Sequence, residues 1–155
     1  MWTYLMLFIL TLWPPTEKTG LHSMRERTHR LREMSEITAD IVSTDATPLE
    51  ALTLENIVAF ESGFNRQAYG PAGELGAFQL MIPPKSTMAQ RHEWFHRGAQ
   101  EALRRLRSQG IEGYCGCSAR RPCPDMVEHR TVPAREWLEA HPFPTPAPAE
   151  VAGNP

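Results

Sequence analysis

Apolar residues recur at helical spacing along most of this chain, and nowhere do they alternate as a half-buried strand requires. Over residues 22–43, Met24, Leu31, Met34, Ile37 and Ile41 fall near the helical period of about 3.6, with charges between them. That spacing predicts an amphipathic helix, and residues 44–47 break it. The next helix has clear boundary chemistry. Thr47 is its expected N-cap, Pro48 suits the first turn, and Glu50 completes a capping box. The helix runs to about Ser62, where Gly63 can take the left-handed conformation that ends it. Residues 63–76 hold four glycines and one proline and read as loop. The short apolar stretch 76–81 reads as a turn or a short helix, and Pro83-Pro84 blocks its continuation. A further helix is expected over 86–108, with Phe95, Ala99, Ala102, Leu103 and Leu106 as its buried stripe and Gly110 as its stop. Residues 111–125 read as irregular. A last helix is expected over 133–141, where Ala134, Trp137, Leu138 and Ala140 can pack. From Pro142 onward Pro, Ala and Gly dominate, which predicts a disordered tail over 142–155. The expected fold is mainly α, with irregular loops, little or no sheet and no internal repeat.

The first thirteen residues are almost wholly apolar. They fall short of the roughly 20 residues a membrane span needs and fit the apolar part of a secretion signal. No Lys or Arg precedes the run, and no small-x-small site follows Trp13-Pro14-Pro15. The segment 1–20 therefore reads as a signal or short anchor and is set outside the fold, leaving a domain over 22–141. It implies an extracytoplasmic product, in the periplasm or cell envelope or secreted, and offers a means of peripheral membrane association.

Composition narrows the function classes. The chain has 155 residues, room for one modest domain, and its 41% hydrophobic content is enough to build a core. A net charge of −2 makes no electrostatic case for a nucleic-acid partner. Arginines cluster over 25–32 and 97–107, on amphipathic helices where they read as solvated faces. No phosphate loop or dinucleotide fingerprint is present. Cys115, Cys117 and Cys123 sit together. In an exported protein two of them can pair, and Cys117 with Cys123 is the expected bond, closing a short loop. The alternative is a zinc site of Cys115, Cys117, Cys123 and His129, although that spacing matches no standard finger or knuckle.

The candidate chemistry centres on Glu61. Leu54, Ile57, Val58 and Glu61 share one helical face, so Glu61 continues an apolar stripe to the helix end. Desolvation and the partial negative charge of the helix C-terminus both favour a protonated carboxyl there. A protonated glutamate can donate to a glycosidic oxygen. Ser62 can cap the last carbonyls or hold the Glu61 backbone. Gly70, Gly73 and Gly76 allow either an ordinary flexible loop or a backbone that faces substrate. Gln79, in an otherwise apolar turn, is either satisfied locally or faces a cleft, where it suits an N-acetyl group.

These residues carry a resemblance. Glu61-Ser62-Gly63-Phe64-Asn65, Ala68, Pro71-Ala72-Gly73, Gly76, Gln79-Leu80-Met81 and Pro83 follow in order the pattern of the soluble lytic transglycosylase domain, a goose-lysozyme-like fold that cleaves peptidoglycan. The likeness spans about residues 30–140, with the specific motif over 61–83. It implies Glu61 as the sole catalytic acid/base, with Ser62, Gly70, Gly76, Gln79 and Met81 on the substrate side. Peptidoglycan glycan strands are the implied partner, with no cofactor and no metal. There are departures. The family often has serine where Gly70 stands, Ala77-Phe78 replaces Leu-Met, and a later Ala-Tyr-Asn-Ala-Gly motif is reduced to Gly113-Tyr114-Cys115-Gly116-Cys117. Tyr114 stands for that tyrosine and is the remaining expected cleft residue. Glu74, the nearby second carboxylate, reads as a solvated loop tip. A role for Glu74 as a base for water would instead make the chain a goose-type hydrolase. A non-catalytic peptidoglycan-binding module is the further alternative.

Overall fold

The computed structural model of the chain describes residues 1–14, 24–81, 85–117 and 122–144. The expected stop at Pro83-Pro84, the stretch 15–23 and the tail beyond 144 lie outside the described residues. Among the described residues the protein is mainly helical. The order is α1 (Trp2–Leu12), α2 (Met24–Val42), α3 (Pro48–Ser62), β1 (Glu74–Leu75), β2 (Leu80–Met81), α4 (Met88–Tyr114) and α5 (Pro124–Ala140).

The boundaries of α3 are set by the chemistry its sequence announces. The Thr47 N–H donates to Glu50 at 2.8 Å, and the Glu50 N–H donates to the Thr47 hydroxyl at 3.3 Å. Gly63 ends the helix at φ 59°. Between these caps every residue from Ala51 to Val58 is buried. A helix enclosed on all sides presents no single apolar stripe. α3 is accordingly the axis of the core, packed most extensively on α5 and also touching α1, α2 and α4.

Four expectations need correction. First, α1 is not outside the fold: Leu5, Phe8 and Ile9 are fully buried. Phe8 meets the Trp137 ring with centroids 5.5 Å apart, and the Tyr4 hydroxyl donates to the His141 carbonyl. No helix among the described residues is long and apolar enough to cross a membrane. Second, residues 76–79 form a turn, one of the two expected forms, but residues 80–81 are a strand, so the stretch closes a small hairpin. Glu74 pairs with Met81 and Leu75 with Leu80, antiparallel. Positive φ at Gly76 (83°) and Gln79 (47°) supplies the reversal. Third, the start of the stretch 111–125 is not irregular. Gly110 interrupts the helix as expected, its φ of 66° and ψ of 178° lying outside the helical region, but one more helical turn follows to Tyr114. α4 also opens with a second capping box, Thr87 with Gln90. Fourth, α5 starts at Pro124, and Pro133 lies inside it. Pro133 costs the helix one N–H, yet the burial of Ala134 and Trp137 beyond it holds the helix on the core.

The arginine-rich stretch of α4 is a solvated, ion-paired face. Arg97 pairs with Glu93 at 3.0 Å and Arg104 with Glu101 at 2.7 Å. Arg107 reaches Asp45 and Glu50, tying α4 to the start of α3.

Candidate functional site

The site is built where α3 ends. Gly63 turns the chain, and Phe64 follows at φ 64°, its ring buried to 2% exposure. The buried ring outweighs the cost of the left-handed backbone and anchors the loop. Two residues on, Arg66 pins the loop to α2. Its guanidinium meets Glu36 at 2.6 Å and Asp40 at 3.0 Å, and its N–H donates to Glu33 at 3.0 Å. Burial raises the Asp40 carboxyl above the usual range while the Arg66 charge opposes that shift. The start of the loop is therefore held at two points.

Glu61 is partly exposed, its side chain 26% accessible. It does not stand on a purely apolar surface. Arg130 of α5 places Nη2 2.6 Å from Glu61 Oε1. The same guanidinium donates through Nη1 to the Met126 carbonyl at 3.1 Å and lies 5.2 Å over the Phe60 ring. Arg130 and Phe60 were not anticipated from sequence. The signal was present: with α5 begun at Pro124, Val127, Arg130, Ala134 and Trp137 share one helical face. Reading Pro133 as the start concealed that face.

Ser62 caps locally. Its hydroxyl donates to the Val58 carbonyl at 3.2 Å and accepts from the Asn65 N–H at 3.3 Å. Tyr114 is partly buried, and its hydroxyl donates to the Phe78 carbonyl at 2.9 Å. Burial raises its pKa, and the Glu61 charge adds to the rise. Burial likewise raises the Cys115 thiol, with Arg130 opposing and Glu61 adding. Glu61, Arg130, Tyr114 and Cys115 thus share one corner, and Tyr114 ties the hairpin turn to it.

The hairpin side is organised around Gly70. A Cβ at that position would run into Glu74 Oε2 and Gln79 Oε1. The space a side chain at position 70 would need is therefore filled by two polar side chains reaching in from β1 and from the turn. Glu74 is not a loose tip: it lies in β1, and its Oε2 accepts the Ala72 N–H at 3.0 Å. Gln79 donates to the Gly76 carbonyl at 2.8 Å. Gly76 is required by its own φ of 83°. Met81 is 48% exposed on the outer edge of the hairpin, opposite Glu74. Two cavities lined by described residues, one beside the cysteines and one around Arg66, do not include Glu61.

Cys117 and Cys123 are joined, with Cα atoms 5.6 Å apart, and Cys115 is free. The bond removes two sulfurs from the alternative zinc set, and no metal-holding group of His, Cys, Asp and Glu occurs among the described residues. A second acid, Glu55, is fully buried between α2 and α3, its Oε1 accepting from Thr38 at 2.9 Å. Burial pushes its carboxyl up to about 8. Sequence reasoning missed it because Glu55 and Asn56 interrupt the apolar pattern and read as a polar face. Comparison of the chain with known protein families, with characterised proteins and with solved structures finds no match.

Proposed function

We propose that this protein is a peptidoglycan lytic transglycosylase that acts in the cell envelope, with Glu61 as its single acid/base. The observation that carries the reading is the position of Glu61: a partly exposed carboxyl at the Gly63-terminated end of a buried helix, beside a loop held at Phe64 and Arg66. Glu61 protonates the oxygen leaving C1 of N-acetylmuramic acid. The resulting carboxylate removes the proton from that sugar's C6 hydroxyl, O6 closes on C1, and a 1,6-anhydro end forms without water. One carboxylate then suffices, where most glycosidases use two. Gln79, Gly70, Gly76, Ser62, Met81 and Tyr114 are the substrate-side residues of this reading. The disulfide fits an oxidising compartment.

A goose-type hydrolase is the second reading, favoured by the fixed position of Glu74. Glu61→Gln keeps shape and removes the transferable proton. Its turnover on purified sacculi is expected to fall by at least about 10²–10⁴-fold with the fold intact. Mass spectrometry of the released muropeptides separates the readings, since anhydro ends support the transglycosylase and reducing ends support the hydrolase. Wild-type-like release by Glu61→Gln removes Glu61 as the acid from both readings, whereas no release by the wild-type protein leaves a binding module.

A further inference from the structure

We propose that Arg130 is a positioning residue that divides the work between the two oxygens of Glu61, fixing Oε1 and leaving Oε2 to carry the transferable proton. This rests on the reading of Glu61 as the acid/base. Arg130 is built into the fold. Its side chain is 8% exposed, and Nη2 lies 2.6 Å from Glu61 Oε1. Nη1 is held by the Met126 carbonyl at 3.1 Å, and the guanidinium lies over the Phe60 ring at 5.2 Å. The backbone at the same residue is fixed as well, because buried Asn56 donates to the Arg130 carbonyl at 3.3 Å. α5 and two residues of α3 thus define the guanidinium plane.

The last torsion of a glutamate is broad, so an unrestrained carboxyl samples many orientations. A planar guanidinium with fixed N–H directions removes that freedom. Among the described residues Oε2 has no hydrogen-bond partner. It is therefore the oxygen free to release a proton to the leaving oxygen as the C1–O bond breaks. The C6 hydroxyl proton returns to it as O6 bonds to C1. Arg130 compensates the carboxylate charge between the two halves of the reaction, without gaining or losing a proton itself. The other groups with an electrostatic reach to this corner are Tyr114, Cys115 and Arg105.

The test compares Arg130→Lys and Arg130→Met with the wild type on soluble, uncross-linked glycan strands, with kcat, KM, product ends and thermal unfolding measured for each. Lysine keeps the charge but not the planar fork, so it cannot bond Met126 and orient Glu61 together. Both variants are expected to lose at least about tenfold in kcat with KM within about twofold and unchanged product ends, because a misoriented reacting group loses rate and not binding. Wild-type kcat in a folded Arg130→Lys protein overturns the proposal, as does a loss confined to KM. Failure of both variants to fold also overturns it, since the ion pair is then a brace between α3 and α5. Wild-type protein that releases nothing from the strands removes the Glu61 reading, and the proposal with it.

Discussion

Glu55 and Glu61 occupy the same helix and meet opposite surroundings. Glu55 is sealed between α2 and α3 with one hydroxyl for a partner. Glu61 reaches the surface and meets a guanidinium. Their difference comes from what packs against each, since both follow apolar residues on α3. Gly70 shows the same dependence on neighbours. Nothing in its own φ demands glycine, but Glu74 and Gln79 occupy the space a side chain would need. Gly70→Ser is therefore expected to destabilise the fold by about 1–3 kcal/mol through overpacking. Chemical denaturation checks this, and a change within about 0.5 kcal/mol would mean the hairpin accommodates the hydroxyl freely.

At the scale of elements, α1 makes the sharpest contrast with its sequence. Its apolar run fits an export signal, yet in the fold Leu5, Phe8 and Ile9 fill the core beside α2 and α3. Burying each such side chain is worth roughly 1.5–3 kcal/mol, so together they form a large part of a typical stability of about 5–15 kcal/mol. Removal of residues 1–13 is expected to lower the unfolding temperature sharply and to expose apolar surface that binds a hydrophobic dye. Unchanged unfolding of the shortened protein would show that α1 is dispensable to the domain. The chain after α1 bears on the site too, since Trp13 meets Phe60, the ring beneath Arg130, with centroids 5.2 Å apart.

For the whole molecule, pH links the buried acid to global stability. The Glu55 carboxyl sits near 8 when folded and near 4.5 when unfolded. The folded chain therefore holds a proton that the unfolded chain releases in that window, and stability falls as pH rises through it. Glu50 acts on the acid side. The Arg107 guanidinium and the Thr47 cap hold its carboxyl down to about 2, so its contribution is present above 4.5 and lost as pH falls toward 2. The unfolding temperature is expected to peak near pH 5 and decline toward pH 8. Glu55→Gln should flatten the decline, and a wild-type profile rising from pH 5 to 8 would contradict the buried protonated acid.

Much of this protein is legible without its structure because much of it is local. The capping box at Thr47, the left-handed stop at Gly63 and the position of Glu61 at a helix end depend on residues within a turn of one another. So do the α2 periodicity and the mainly helical class. The tertiary structure decided what depends on distant neighbours. It placed α1 in the core, paired Glu74 with Met81, buried Glu55 and Asn56, and carried α5 through Pro133. It also brought Arg130 to Glu61 across 69 residues of chain. Caps, turns and periodicity are set by backbone bonds within a few residues. Burial and charge pairing are set by which faces meet, and that becomes fixed only when the helices close around α3.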